Sequence, residues 1–177
     1  DRPCSLFAPA TRASRSLLLT LSVVTMEDMK TVSTTDETTL RVRYAETDAM
    51  GVVHHSQYVI WFEVGRSSFM RNSGASYAEI ERAGHQFRIA EIGARYHAPA
   101  CYDQVVTVRT WLSELHSRGL TFSYAIVLPA VGDRGEQVLV TGFTKLICTD
   151  REGQVHRLPA ELRQALAALL HTPSSAP

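Results

Sequence analysis

The sequence predicts an α+β fold in which a five-stranded antiparallel sheet is wrapped around a central buried helix, with a further helix at the C-terminal end. Residues 56–72 form an aromatic-rich segment whose apolar side chains recur at helical spacing on most sides. Four long segments rich in Val, Ile, Thr and aromatic residues follow it. A helix that is apolar on most sides must be covered, and a curved sheet can cover it.

The first strand is predicted over residues 40–45, where apolar and polar side chains alternate. The central helix follows over residues 56–72, and Gly74 is suited to cap its C-terminal end. A short second helix is expected over residues 77–83, closed by Gly84. The chain is therefore expected to form one strand, then the buried helix, and then the other four strands.

The remaining strands are predicted over residues 87–100, 104–115, 119–130 and 136–150. Short polar or glycine-containing links join the last three, so these strands should be antiparallel neighbours. Pro159 then begins a last helix over residues 160–170. We expect one domain over residues 38–171, a disordered extension over residues 1–37, and a loose tail over residues 172–177.

The composition excludes several classes of protein. The 177 residues carry 18 basic and 18 acidic side chains, and a formal net charge of zero gives no reason to expect nucleic acid. The three cysteines are widely spaced and form neither a disulfide framework nor a C-x-x-C metal pair, which favours a reducing, cytoplasmic setting. No apolar run approaches the roughly 20 residues that span a bilayer.

The N-terminal segment has some features of an export signal. Arginines precede a short apolar run over residues 17–24, but no small-residue cleavage pattern follows, and Glu27 and Asp28 come directly after it. We therefore expect a disordered extension whose deletion, over residues 1–36, leaves a folded and active protein.

Residues 44–66 read YAETDAMGVVHHSQYVIWFEVGR and carry the chemistry of the chain. By residue type alone, Asp48 before a glycine favours a turn or capping role. The adjacent His54 and His55 should diverge, and with no third ligand nearby they do not predict a metal site. Glu63 and Arg66 stand three apart on the helix, which predicts an ordinary ion pair.

The pattern T-D-A-x-G-V-V-x-H-x-x-Y over residues 47–58 resembles the signature of hot-dog-fold acyl-CoA thioesterases. They belong to the 4-hydroxybenzoyl-CoA thioesterase superfamily, and the likeness is greatest to its Tol–Pal-cluster type. Glu63 and Arg66, Y-x-A-P-A over residues 96–100 and R-L-P over residues 157–159 extend the resemblance, which covers about residues 38–170.

The resemblance implies an enzyme that hydrolyses a short-chain or aromatic acyl-CoA thioester, needs neither cofactor nor metal, and works as a homodimer or homotetramer with sites at the subunit interface. The family's catalytic carboxylate falls on Asp48, its histidine close to the thioester falls on His55, and Glu63 is a further catalytic candidate. The family often has an aromatic residue where this chain has His54, so the shape of the pocket differs there. The expected substrate contacts lie in the turn and the helix start: Gly51, Val52, Val53, His54, Ser56 and Tyr58.

Physical chemistry gives Asp48 two possible roles in thioester hydrolysis. A carboxylate can attack the carbonyl and form a mixed anhydride, or it can deprotonate a water molecule. The first amides of a helix lack intrahelical acceptors and carry a positive partial charge, so they can receive the carbonyl oxygen. The glycine turn would then place the carboxylate opposite an electrophilic helix end.

Several alternatives stay open at this point. The same fold can serve as a non-catalytic acyl-CoA or acyl-carrier-protein binding module, and acyl-carrier-protein thioesters are possible substrates. A dehydratase or hydratase of this fold would carry a different signature on the helix, which is not evident. Cys101 and His97 could indicate a cysteine hydrolase, but their positions on either side of Pro99 favour a packing role. The arginines available for coenzyme A phosphates are Arg88, Arg118, Arg151 and Arg157.

Overall fold

The computed structural model describes residues 34–74 and 76–171. The tail predicted over residues 172–177, and the predicted extension up to residue 33, lie outside these described residues. No helix among the described residues combines the length and apolar character needed to cross a bilayer. The elements, in chain order, are β1 (Thr35–Arg41), a 3-10 turn (Tyr44–Glu46), α1 (Gln57–Asn72), α2 (Tyr77–Arg82), β2 (Gln86–Tyr96), β3 (Val105–Leu115), β4 (Gly119–Leu128), β5 (Gln137–Thr149) and α3 (Ala160–Ala167).

The five strands form one antiparallel sheet in the order β1-β3-β4-β5-β2. Strands β3, β4 and β5 are consecutive neighbours joined by short links, as the sequence predicts. Strand β2 instead pairs with β5, so β1 and β2 are the two edges of the sheet. The predicted α+β architecture is confirmed.

The core lies between α1 and the inward face of the sheet. Phe62 of α1 stacks on Tyr124 of β4, with ring centroids 4.4 Å apart and planes 13° apart. About two turns further along α1, Phe69 meets Phe122 edge to face at 5.3 Å. Full burial of each such side chain contributes about 1.5–3 kcal/mol to folding, so α1 is the centre of the core.

The predicted first strand is wrong at both ends. Strand β1 begins at Thr35 and ends at Arg41, and a 3-10 turn occupies residues 44–46 where the strand was expected to continue. As an edge strand, β1 pairs only with β3. Backbone hydrogen bonds to β3 keep its threonine-rich residues in the sheet, although apolar and polar side chains do not alternate there. A deletion of residues 1–36 would remove the first two strand residues, so the informative truncation ends at residue 33.

Strand β2 also ends earlier than predicted, at Tyr96. The amides of His97 and Ala98 both donate to the carbonyl of Leu139, at 2.8 and 3.1 Å, which ends the regular ladder. Pro99 follows and has no amide to donate. The chain then turns toward the loop before α1, where the Val53 amide donates to the Ala100 carbonyl at 2.8 Å.

Gly65 lies in the middle of α1, where glycine is normally unfavourable, because the helix approaches β3 closely there. A Cβ at this position would lie 2.8 Å from Val108 Cγ1 and closer still to Thr110 Oγ1. The helix can therefore rest on the sheet at this point only without a side chain.

We predict that Gly65→Ala lowers the free energy of unfolding by up to about 2 kcal/mol. Overpacking costs about 1–3 kcal/mol, and alanine returns about 1 kcal/mol of helix propensity. Urea unfolding followed by circular dichroism measures the change. Gly135→Ala is the control, because a Cβ there meets nothing within 4 Å. A Gly65→Ala protein as stable as the parent would contradict the close approach.

Candidate active site

The segment between the 3-10 turn and α1 folds into a tight hairpin. The His54 amide donates to the Glu46 carbonyl at 2.9 Å, and the Asp48 amide donates to the Val52 carbonyl at 2.9 Å. Gly51 closes the turn with a φ of 75°, a conformation that favours glycine. This hairpin, residues 46–54, places Asp48 on its first arm and leads directly into the start of α1.

Asp48 is half-buried, and its Oδ1 atom accepts the Met50 amide at 2.8 Å. The turn role that the residue type predicts is therefore present. The second carboxylate oxygen has no hydrogen-bond partner among the described residues. A carboxylate held by one oxygen in a turn keeps the other available for a ligand.

The N-terminal end of α1 is not capped by a side chain. Ser56 occupies the N-cap position, but its hydroxyl lies 2.8 Å from His54 Nδ1 and bonds to no helix amide. The amides of Gln57 and Val59 donate to the carbonyls of His54 and Ser56, at 2.9 and 3.2 Å. The amides of His55 and Tyr58 have no such backbone acceptor within the described residues. The positive end of the helix therefore retains free donors.

A cavity of about 280 Å³ opens beside this helix end. Tyr96, the last residue of β2, donates its hydroxyl to the His55 carbonyl at 3.1 Å. The Tyr58 hydroxyl accepts the Ala100 amide at 3.0 Å, and burial raises the pKa of Tyr58, so this hydroxyl stays neutral. The cavity is lined by Val53, His55, Tyr58, Tyr96, His97, Ala98 and Pro99.

The expectation that His54 and His55 diverge is wrong. Both side chains are exposed, and their rings lie 4.1 Å apart at a tilt of 35°. Among the described residues no third ligating side chain joins them. His54 is held by Ser56, whereas His55 lines the cavity, so the two rings have different surroundings.

Glu46 is a buried carboxylate at the base of the hairpin that the sequence interpretation missed. It accepts the Arg43 amide at 2.7 Å, the Arg43 guanidinium at 2.9 Å and the Trp61 indole at 3.1 Å. Burial raises its pKa, but the hydrogen bonds from Arg43 and Trp61 outweigh burial and leave the pKa below its usual range. Glu46 therefore fastens the hairpin to α1 as an anion.

The structure distributes the predicted site residues unequally. Val53 and Tyr58 are buried and line the cavity with His55, whereas Asp48 and Glu63 do not line it. Val52 pairs with Cys101 in an isolated bridge. The predicted substrate contacts that remain exposed, outside the cavity wall, are Gly51, His54 and Ser56.

The predicted ion pair between Glu63 and Arg66 is wrong. Glu63 is exposed, whereas Arg66 is buried, with its guanidinium 5.7 Å from the centroid of the Tyr77 ring. A cysteine hydrolase would need His97 to pair with Cys101. His97 Nε2 instead lies 2.9 Å from the Thr141 hydroxyl. The sequence did not predict that Tyr96 and His97 line the cavity, because the residue pattern of β2 does not show that this strand ends beside α1.

The four arginines considered for coenzyme A phosphates all lie at the end of the sheet opposite the cavity. Arg88 lies near the start of β2, and Tyr96 ends the same strand eight residues later, roughly 26 Å away at about 3.3 Å per residue. Arg118, Arg151 and Arg157 belong to the links at the Arg88 end. Arg43 precedes the 3-10 turn, and Arg95 directly precedes Tyr96, so both lie at the same end of the sheet as the cavity.

The hot-dog fold of this chain combines a half-buried carboxylate in a turn, an uncapped helix start and a cavity beside that helix start. This combination suits the hydrolysis of an activated carbonyl compound. The profile of the Thioesterase-like superfamily matches residues 42–167. The putative acyl-CoA thioesterase YneP of Bacillus subtilis is 34% identical over 113 residues, which are 64% of this chain and 78% of YneP. The acyl-CoA thioester hydrolase YbgC of Escherichia coli is 31% identical over 88 residues, 50% of this chain and 66% of YbgC.

Solved structures agree with this class. The crystal structure of DHNA-CoA thioesterase from Staphylococcus aureus superposes with a TM-score of 0.69 at 29% identity, covering 76% of this chain and 90% of that one. The chain therefore belongs to the Thioesterase-like superfamily, and it is a thioester hydrolase. The resemblance to the hot-dog acyl-CoA thioesterases is confirmed.

We predict that Glu46→Gln destabilises the protein at pH 7 by about 1–3 kcal/mol, because an amide cannot accept from Arg43 and Trp61 as a carboxylate does. The folded-state pKa of Glu46 is depressed, so its stabilisation is complete above the ordinary value of 4.5 and is lost as pH falls through the folded value. Thermal melts from pH 7 to pH 3 should show the two proteins converging in acid.

Glu152→Gln is the matched control, because Glu152 is exposed in the turn after β5. It removes the same charge without touching the hairpin. A stability difference between Glu46→Gln and the parent that persists unchanged to pH 3 would show that the ionised form is not what stabilises the hairpin.

Proposed function

We propose that this chain hydrolyses a short-chain or aromatic acyl-CoA thioester to the free acid and coenzyme A. The observation that carries the proposal is the hairpin over residues 46–54, which joins the Asp48 turn to the uncapped start of α1. The names of YneP, YbgC and the staphylococcal DHNA-CoA thioesterase support an acyl-CoA substrate.

In the proposed reaction the thioester carbonyl lies between Asp48 and the start of α1. Asp48 attacks the carbonyl carbon or deprotonates the water that attacks it. The amides of His55 and Tyr58 receive the oxyanion, and one such donor is worth roughly 3–4 kcal/mol in a transition state. A thiol has a reference pKa of about 8.5, so the thiol product leaves without a dedicated acid.

The cavity is the proposed acyl site. Tyr58 and Tyr96 have ring centroids 5.6 Å apart, and together with Val53 and Pro99 they give it apolar and aromatic walls. Such walls suit a planar aromatic group or a short chain, since rings pack edge to face or offset. The His55 imidazole orients the thioester at the mouth of this cavity.

The nucleotide end of coenzyme A remains outside the cavity. Arg95 is exposed and directly precedes Tyr96 on β2, so its guanidinium group is available to the phosphates. The turn residues Gly51 and Val52, with His54 and Ser56, contact the pantetheine arm. Glu63 is assigned to the site from its position on the exposed side of α1, where an adjoining subunit can bring a thioester to it.

The proposed active form is a homodimer, or a homotetramer built from it, in which β2 pairs with β2 of a second copy. Ile89, Ile92 and Tyr96 of this edge strand are 45%, 41% and 49% exposed, which is unusual for apolar side chains beside free backbone hydrogen-bonding groups. An isologous contact along β2 would cover them. Because Tyr96 lines the cavity, the same contact would complete the acyl site.

A panel of thioesters tests the proposed reaction. Short, medium and aromatic acyl-CoA substrates are assayed for released thiol, with the matching acyl-carrier-protein thioesters alongside. Turnover of a short-chain or aromatic acyl-CoA supports the proposal. Turnover of the carrier-protein thioesters alone would change the substrate class, and binding without any turnover would indicate an acyl-binding module instead.

We predict that Asp48→Asn lowers turnover at least about a hundredfold, the lower end of a general-base contribution. Asparagine keeps the hydrogen bond to the Met50 amide and removes the charge. Asp150→Asn is the control, because Asp150 Oδ1 likewise accepts a backbone amide, that of Gln154 at 2.7 Å, at the other end of the sheet. Near-normal turnover in a folded Asp48→Asn protein would remove Asp48 from the reaction.

A single turnover in oxygen-18 water separates the two roles of Asp48. Direct attack gives an anhydride between Asp48 and the acyl group, and water attack on the Asp48 carbonyl leaves the label in that carboxylate. Water attack at the substrate carbonyl places the label in the acid product. Label found in Asp48 by peptide mass spectrometry establishes the covalent route.

We predict that Ile92→Lys shifts the protein toward the monomer mass of 19.6 kDa and lowers turnover at the same time. A lysine in the middle of β2 opposes strand pairing, since the partner strand would bring a second lysine close. Multi-angle light scattering measures the mass. Val131→Lys adds the same charge at a 71% exposed valine of the β4–β5 link and should leave the mass unchanged. A parent protein that is an active monomer would contradict the proposed assembly.

A further inference from the structure

A second cluster of reactive side chains lies at the opposite end of β2 from the acyl cavity. One ligand atom from each of His85, Cys148 and His156 lies within 4.8 Å of the other two. Cys148 is buried, and the two histidines are half-buried. His85 precedes β2, whose 11 residues separate it from the cavity by roughly 35 Å at about 3.3 Å per residue. The cluster therefore takes no part in the hydrolysis.

The backbone brings these three residues together from separate parts of the chain. Gly84, with a φ of 92°, ends α2 and turns the chain so that His85 precedes β2. Phe87 of β2 pairs with Cys148 of β5 in the sheet register. After the turn that follows β5, the His156 amide donates to the Cys148 carbonyl at 3.1 Å. The sheet and one turn thus fix all three positions.

The distances between the ligand atoms suit a tetrahedral metal ion. His85 Nδ1 lies 3.3 Å from His156 Nε2, and Cys148 Sγ lies 3.8 Å from the same nitrogen. Zinc bonds of about 2.0–2.1 Å to nitrogen and about 2.3 Å to sulfur require edges of about 3.3 Å and 3.6 Å in a tetrahedron. Cys148 Sγ lies 3.9 Å from His156 Nδ1 as well, about as far as from Nε2, so the Cys148 side chain must turn toward Nε2 to reach this geometry.

The hydrogen bond on the other side of the His156 ring fixes its tautomer. His156 Nδ1 lies 2.7 Å from the Arg157 carbonyl, which can only accept, so Nδ1 carries the proton. Nε2 therefore carries a lone pair, and His85 Nδ1 lies 3.3 Å from it. A ligating histidine that donates its second nitrogen to a backbone carbonyl is a common arrangement around protein-bound metals.

We propose that His85, Cys148 and His156 bind a zinc ion, with a water molecule at the fourth position. A thiolate with two imidazoles selects zinc over magnesium or calcium, which prefer oxygen. His85 also lines a surface cavity of about 340 Å³. On binding, the Cys148 thiol gives its proton to solvent, and the proton of His85 moves from Nδ1 to Nε2, so one proton is released for each ion.

The ion would join the start of β2 to β5 and to the segment before α3. Burial raises the pKa of the Cys148 thiol, so without a cation this side chain is a neutral thiol and not a nucleophile. The edge strand β2 has a partner on one side only, and its first residues gain most from such a link. The ion would therefore stabilise the strand that carries Tyr96 at its other end.

Cobalt(II) is the probe for this site, because a thiolate ligand gives a charge-transfer absorption and four-coordination gives strong visible bands. The full chain carrying Cys4→Ser and Cys101→Ser retains Cys148 as its only thiol. We expect one equivalent of cobalt(II) to give both bands and zinc(II) to displace it. Absence of the charge-transfer band, or its survival when Cys148→Ser is added, would overturn the proposal.

Two histidine variants separate this site from adventitious binding. His85→Gln should weaken zinc binding at least about tenfold, since even the loss of an outer-shell partner costs that much. His116→Gln changes an exposed histidine of the β3–β4 link and should leave binding unchanged. Zinc should raise the Tm of the parent and of His116→Gln, but not that of His85→Gln, while kcat stays the same with zinc or with a chelator. Equal Tm increases in all three proteins would overturn the assignment.

Discussion

The burial of α1 against the curved sheet is the constraint on which the rest of the structure depends. The stack of Phe62 on Tyr124 and the close approach at Gly65 hold the helix at one depth and in one rotation. A helix fixed in this way must begin at one end of the sheet. The hairpin over residues 46–54 and the segment after β2 then close around its first turn. The position of the candidate site follows from the packing of the core.

Two buried hydrogen bonds carry that rigidity from the core to the site. Trp61 and Tyr58 both belong to α1, and they bond to Glu46 in the hairpin and to the Ala100 amide after β2. Both bonds lie away from solvent, where an unsatisfied group is costly. Stabilisation of an oxyanion depends on donors that do not move during the reaction, and these bonds keep the helix end in place.

Strand β2 connects the three proposed features of the protein, which are the acyl site, the subunit contact and the zinc site. At its end, Tyr96 lines the acyl cavity, and along its length the exposed isoleucines offer a surface to a second copy. At its start, His85 belongs to the proposed zinc site. An edge strand has half the backbone hydrogen bonds of an inner one, so a metal at one end and a second subunit along its side would compensate for the missing neighbour.

The sequence by itself determined the fold class, the order of the elements and the family. Periodicity is a local property, and the long apolar segments of α1 and β3 to β5 carry it strongly. It failed at β1, because an edge strand held by ladder hydrogen bonds needs little apolar alternation. The motif around Asp48 and His55 was also readable, since its residues are contiguous along the chain.

Only the tertiary structure decided which side chains meet. Glu46 and Trp61 are 15 residues apart, and His85 and His156 are 71 residues apart, so no local pattern links them. The expectation of a chain without a metal site rested on spacing along the sequence, and the sheet register brings His85, Cys148 and His156 together regardless of spacing. Arg66 likewise turned inward to Tyr77 instead of pairing with Glu63, because the rotation of α1 is set by its packing on the sheet.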